Sequence, residues 1–206
     1  MQEKAVSVFY EETTDIYRLK IPFETVYTSV FLIKSTSGVF LVDCATTEGD
    51  VDDVILPALS ALGYTPSDVK AVIVTHKHSD HAGGLPRLLS HMPEIEVVTD
   101  VRPLCDGIST YALPGHTSDF VGVLDARTNT LISGDGLQGA GVDKFRCSLD
   151  NAKAYEETLL KIEKNEKIEN ILFSHAYEPW NKDTLFGRES VLECLKICKK
   201  YVRRNL

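Results

Sequence analysis

The stretch Thr75-His76-Lys77-His78-Ser79-Asp80-His81-Ala82-Gly83-Gly84 constrains this chain more than any other part of it. Three imidazoles and a carboxylate fall within six consecutive positions, directly behind the apolar run Ala71-Val72-Ile73-Val74. Such a run reads as a buried strand, and a strand that ends in clustered ligands aims them at one point. His76 and His78 are two residues apart, so in an extended segment both rings face the same side and can share one cation. Asp80 and His81 lie past the bend. Gly83-Gly84 then permits a tight turn with close backbone approach before a helical stretch around Leu85 to His91. A strand end, a turn and a helix start must therefore meet at one polar point, and this spacing has a coordination mechanism behind it.

Further along, Pro114-Gly115-His116-Thr117, Ser133-Gly134-Asp135-Gly136 and Ser174-His175 each follow a strand-like run, and Asp43 ends the run Val39-Phe40-Leu41-Val42. In this order the segments resemble the signature set of the metallo-β-lactamase fold superfamily, a family of metal-dependent hydrolases and related enzymes. The set has a glyoxalase II-like character and runs from Val26 to His175. The resemblance implies an α/β (α+β) fold, a four-layer αββα sandwich, in a single domain over residues 1–206 built of two βα-rich halves, about 1–100 and 101–206. It also implies the ligand set. His76, His78 and His116 would hold one ion, Asp80, His81 and His175 a second, and Asp135 would bridge them. Asp43 would accept a hydrogen bond from a ligand histidine and fix its tautomer, as ligating imidazoles require; Thr117 and Ser118 are placed for similar work. Of the six histidines, only His91 matches no segment of the family, and it is expected at the surface.

A histidine-rich pair of sites joined by a carboxylate suits borderline cations, zinc first, with iron or manganese as alternatives. No ligand position is a cysteine, which argues against a thiolate-rich structural site and for the open coordination of a catalytic one. Two divalent ions lower the pKa of bound water toward neutrality, so that hydroxide is available as the nucleophile, and one of them polarises the substrate oxygen. Asp80 is the candidate catalytic residue, orienting the nucleophile and passing a proton to the leaving group.

Composition closes off other classes. Hydrophobic content of 43% and charged content of 25% are those of an ordinary globular chain. No apolar run reaches the length of a membrane span, and Met1-Gln2-Glu3-Lys4 lacks the basic start and apolar stretch of a signal peptide, so a cytoplasmic protein with no membrane association is expected. The net charge of −8 sets a repulsive average field against polyanions, and the expected partner is a small-molecule substrate, not nucleic acid. The five cysteines, Cys44, Cys105, Cys147, Cys194 and Cys198, fit reduced thiols; Cys194 and Cys198 share a helix face and read as core packing.

Strands are expected at Ala5 to Tyr10, Ile16 to Leu19, Tyr27 to Ile33, Val39 to Asp43, Ile95 to Val98, Ser109 to Leu113, Phe120 to Leu124, Thr130 to Ser133 and Ile171 to Phe173. Helical periodicity marks Asp50 to Leu62, interrupted by Pro57, then Asn151 to Glu166 and Leu185 to Arg203.

The expected activity is hydrolysis of a small ester, thioester, lactone or amide. The long C-terminal substrate domain of glyoxalase II relatives has no counterpart here, which lowers the expectation of a glutathione thioester. The loop from Gly136 to Arg146 follows the bridging acid and supplies Gln138, Lys144 and Arg146 as candidate substrate contacts, with Tyr177 and Trp180 beyond His175 as a candidate apolar wall. The alternatives are an iron-dependent oxidoreductase of dioxygenase type and, less favoured by the acidic balance, a phosphodiesterase or nuclease.

Overall fold

The computed structural model describes residues 7–23, 26–137, 149–176 and 182–205. They fall into two compact units, Met1–Val98 and Thr99–Leu206, each with its own six-stranded sheet.

In the first unit the strands follow one another across the sheet in sequence order: β1 (Tyr10–Thr13), β2 (Ile16–Phe23), β3 (Val26–Ser35), β4 (Gly38–Val42), β5 (Val69–Ile73) and β6 (Glu96–Val98). The first four pair antiparallel as hairpins, joined where the chain can reverse cheaply: Asp15 sits at φ 64° and Gly38 at φ 140°. The last two joins are parallel and therefore need crossovers. Helices supply them. Val30, Leu32, Val39, Leu41 and Val72 from the strands bury one core with Ile55, Leu59 and Leu88 from the helices.

The first crossover helix begins as α1 (Glu48–Asp50) under a capping box between Thr47 and Asp50. It widens through a π turn at Val51–Ile55 and continues as α2 (Leu56–Ala61). Pro57 explains the widening. Its ring would collide with the carbonyl one turn earlier in a regular α-helix, and the turn before it closes instead on the longer Leu56 N–H to Val51 carbonyl bond. The periodicity was thus a true helix signal, and the proline marks its irregular turn. After a short 3₁₀ turn at Pro66–Asp68 and β5 come α3 (Ser79–Ala82) and α4 (Leu85–His91).

The strand expected at Ala5 to Tyr10 lies elsewhere: β1 begins at Tyr10, and residues 5 and 6 are outside the described ones. Register from the Asp15 turn fixes this, because Tyr10 to Thr13 are the residues that oppose Arg18 to Ile16. Their glutamates hid the strand from a reading of apolar runs. Glu12 has a specific task there, since it pairs with the guanidinium of Arg18, which is fully buried, donates to Ser29 Oγ at 3.0 Å and lies 4.7 Å from the Phe31 ring centroid.

The second unit orders β7 (Pro103–Cys105), β8 (Ile108–Ala112), β9 (Val121–Asp125), β10 (Thr130–Gly134), β11 (Asn170–Phe173) and β12 (Thr184–Leu185) in the same sequential way. Only β10 and β11 are parallel, and α5 (Ala152–Lys164) crosses between them. α6 (Arg188–Asn205) ends the described chain. Leu131, Ile171 and Phe173 meet Tyr155, Leu159, Ile162, Val191, Leu195 and Cys198 in the core of this unit. Cys194 and Cys198 are both buried there as free thiols, and the hydrogen bond between them, together with burial, pushes the Cys194 thiol well above its usual range. β7 and β12 were not expected, being too short to show a period. The last helix starts later than expected because Leu185 is claimed by β12 and Gly187, at φ 85°, turns the chain before Arg188.

Candidate metal centre

In the first unit β4 and β5 are parallel neighbours, so the residues after their C-terminal ends emerge side by side. Asp43 follows β4 and His76 follows β5. Asp43 is buried and held at φ 66°, a left-handed conformation that aspartate tolerates better than most residues. Its Oδ1 accepts from the Thr75 N–H at 2.8 Å and the Thr75 hydroxyl at 2.9 Å, and its Oδ2 is 2.7 Å from His81 Nδ1.

This carboxylate settles two tautomers. His81 Nδ1 must donate to Asp43, which leaves the lone pair on Nε2. Thr75 has one hydroxyl hydrogen; giving it to Asp43 makes Thr75 Oγ1 the acceptor for His76 Nδ1, 3.1 Å away, so the His76 lone pair is also on Nε2. Both rings are buried. The His76 ring centroid lies 4.5 Å from that of His78 and 4.3 Å from that of His81. His78 takes the extended conformation at the head of α3, with Asp80 in the first turn, and Asp80 Oδ2 sits 3.3 Å from His81 Nε2.

Gly83 and Gly84 have a steric duty. A Cβ on Gly83 would stand 1.8 Å from the Thr46 carbonyl oxygen, and one on Gly84 2.2 Å from that of Cys44. The loop after Asp43 therefore lies directly on the turn after His81, tied by the Cys44 N–H to the His81 carbonyl at 2.7 Å. Ala45 adopts φ 59°, a conformation that costs about 1–2 kcal/mol for a residue with a Cβ. Cys44 is buried beside Asp43, and burial, with the neighbouring carboxylate second, pushes its thiol well above the usual range.

In the second unit β8 and β10 both run antiparallel to β9, and β11 runs parallel to β10. The C-terminal ends of β8, β10 and β11 thus share one edge of the sheet, and His116, Asp135 and His175 follow them. All three are buried. The two oxygens of Asp135 serve different rings: Oδ1 is 3.2 Å from His175 Nε2 and Oδ2 is 3.8 Å from His116 Nε2.

Of the remaining candidates, His91 does not approach these groups. Its Nε2 is 2.8 Å from Asp52 Oδ1, an acid also held by Arg87, so His91 lies at the surface as expected, against a carboxylate. Gln138, Lys144, Arg146, Tyr177 and Trp180 lie outside the described residues. Thr75 escaped the reading of the sequence as a hydrogen-bond relay, although it opens the histidine stretch.

Each unit thus offers imidazole nitrogens beside carboxylate oxygens, all of the imidazoles buried except that of His78, which is exposed. In the first, ligand atoms of His76 and His78 lie within 4.8 Å of each other, as do those of Asp80 and His81; in the second, the same holds for Asp135 and His175. Imidazole nitrogen and carboxylate oxygen donors, with the tautomers of His76 and His81 fixed by their partners, are the set a borderline divalent ion takes.

Comparison with known proteins agrees with the fold. The model of the family described as the metallo-beta-lactamase superfamily matches residues 24–98. A hydroxyacylglutathione hydrolase of Vibrio cholerae is 28% identical over 175 residues, 72% of this chain and 68% of that protein. A beta-lactamase-like protein 2 homolog of Caenorhabditis elegans is 26% identical, over 60% of this chain and 49% of that one. Among solved structures, the metallo-beta-lactamase FIM-1 of Pseudomonas aeruginosa, in its mono-zinc form, superposes with a TM-score of 0.75 at 15% identity, covering 97% of this chain and 98% of its own. DIM-1 metallo-beta-lactamase gives 0.74 at 13% identity over 98% and 99%. The two sheets and few helices expected of this fold class are the ones found.

Proposed function

We propose that this chain, a member of the metallo-β-lactamase superfamily, is a dinuclear metal-dependent hydrolase of small acyl compounds, thioesters and esters before lactones and amides. The observation that carries the reading is Asp135, buried, with each carboxylate oxygen turned to a different histidine nitrogen. A carboxylate so divided suits a bridging ligand. His76, His78 and His116 would hold the first ion and Asp80, His81 and His175 the second, with Asp135 common to both, as the family resemblance implies. The name of the Vibrio relative supports a thioester.

When bound, two divalent ions, zinc first, supply Lewis acidity toward the acyl oxygen and bring the pKa of water toward neutrality. The chain supplies the rest. Thr75 and Asp43 hold His76 and His81 in the tautomers that ligation needs. Asp80, less deeply buried than His81 beside it, orients the attacking water and carries a proton on its carboxylate to the leaving thiol or alcohol, so that acyl compound and water become acid and thiol or alcohol.

The test is elemental analysis of purified protein loaded with zinc, manganese or iron and desalted, followed by turnover on a panel of thioesters, esters and lactones. Close to two ions per chain are expected, because the ligand set exceeds the four positions of one tetrahedral ion. Asp135→Ala abolishes turnover and His91→Ala leaves it near wild type. Asp80→Asn loses about 10²- to 10⁴-fold in rate, the usual contribution of a general acid or base, even with both ions bound. Recovery of Asp80→Asn in excess metal would reduce Asp80 to a ligand. One active iron per chain would sink the hydrolase reading.

A further inference from the structure

We infer that Thr158, with the start of α5, is a positioning residue for His116: it straps the loop that carries this ligand. The inference rests on the reading of His116 as a metal ligand. Three consecutive carbonyls of that loop are taken by α5 and the two residues just before it. The Thr158 hydroxyl donates to the Pro114 carbonyl at 2.8 Å, the Asn151 N–H to the Gly115 carbonyl at 3.1 Å, and the Asp150 N–H to the His116 carbonyl at 3.4 Å.

The loop is also pressed against the helix at a point where no side chain would fit. Gly115 takes φ 148°, and a Cβ there would lie 2.6 Å from Tyr155 Cβ and 2.7 Å from Tyr155 Cα. The Gly115 N–H in turn reaches the Thr117 carbonyl at 3.0 Å, folding the segment around His116 into a tight loop. Tyr155 and Thr158 are both buried, and α5 is itself anchored by the Asn151 side chain, which accepts from the Ala154 N–H at 2.9 Å.

Two of the three bonds come from backbone groups and survive any substitution. Thr158 alone contributes through its side chain. It touches no ligand atom, so its effect on the centre passes through the loop, as with other outer partners that orient metal ligands.

The test uses the whole protein, with zinc affinity read by competition against a chromogenic chelator and the visible spectrum of the cobalt-loaded form as a report on coordination. Thr158→Val keeps the shape and removes the hydroxyl; it is expected to weaken affinity by about tenfold, the lower end for loss of an orienting partner, and to alter the cobalt spectrum. Thr158→Ser restores both. Gly115→Ala, which pushes the loop off Tyr155 while leaving the hydroxyl, acts in the same direction and serves if Thr158→Val does not fold. Ile162→Val, a core change on the same helix, lowers the melting temperature of the metal-free protein and leaves affinity unchanged. Wild-type affinity and spectrum in Thr158→Val, or in Gly115→Ala where that stands in, would overturn the strap. So would an equal loss in Ile162→Val, which would make the effect one of general stability. A wild type that binds no ion would instead overturn the ligand reading itself, and the strap with it.

Discussion

One hydroxyl hydrogen on Thr75 decides how the N-terminal ligands are presented. Given to Asp43, it obliges His76 to donate from Nδ1 and leaves its lone pair on Nε2, the same atom that the direct bond to Asp43 leaves free of hydrogen in His81 and the one proposed to bind metal. Thr75→Val is expected to weaken zinc binding by about 10- to 100-fold and to lower unfolding stability by about 1–3 kcal/mol through the donor that buried Asp43 loses; Thr75→Ser keeps both near wild type. Chelator competition and urea unfolding read the two effects separately, and an unchanged affinity in Thr75→Val would remove the relay. The candidate ligands are legible in the sequence, because imidazoles at such spacing have few other uses. The relay is not. A threonine is common, and its partner Asp43 stands 32 positions away, a pairing that only the parallel register of β4 and β5 creates.

At the scale of elements, legibility followed the length of the periodic signal. The long helices α5 and α6 and the apolar strands β3, β4 and β10 announced themselves, whereas β7 and β12 are short edges and β1 is an acidic strand that exists for Arg18. That guanidinium is fully enclosed between β1, β2 and β3 and depends on Glu12 for its counter-charge. Removing one member of such a pair leaves a buried uncompensated group, so Arg18→Ala is expected to cost about 3–5 kcal/mol. Glu12→Ala with Arg18→Ala should cost less than the sum of the two single changes. Denaturant unfolding of the four proteins tests this, and strict additivity would show that the pair is not coupled.

For the whole molecule the relevant quantity is charge. The chain carries 30 acidic against 22 basic residues, and an anionic acyl substrate must approach through that average field. Added salt shortens the screening length to about 8 Å at physiological ionic strength, so kcat/KM for an anionic thioester is expected to rise severalfold from low salt to about 0.15 M, while a neutral ester of similar size shows no change. A fall for the anion would reveal a locally basic approach, to which Lys144 and Arg146 are the first candidates.

Both sheets are laid down strand by strand in the order of the chain, and every strand pair closes within its own unit. During synthesis this ordering has a temporal meaning. When Thr99 is added, each strand of the first sheet already has its neighbours in the nascent chain, and none waits on a residue still to be translated. Sequential pairing keeps loop closures short and leaves few unpaired strand edges exposed while the rest is made. From that point the histidine stretch belongs to a half whose strands all have their pairing partners in the chain already made.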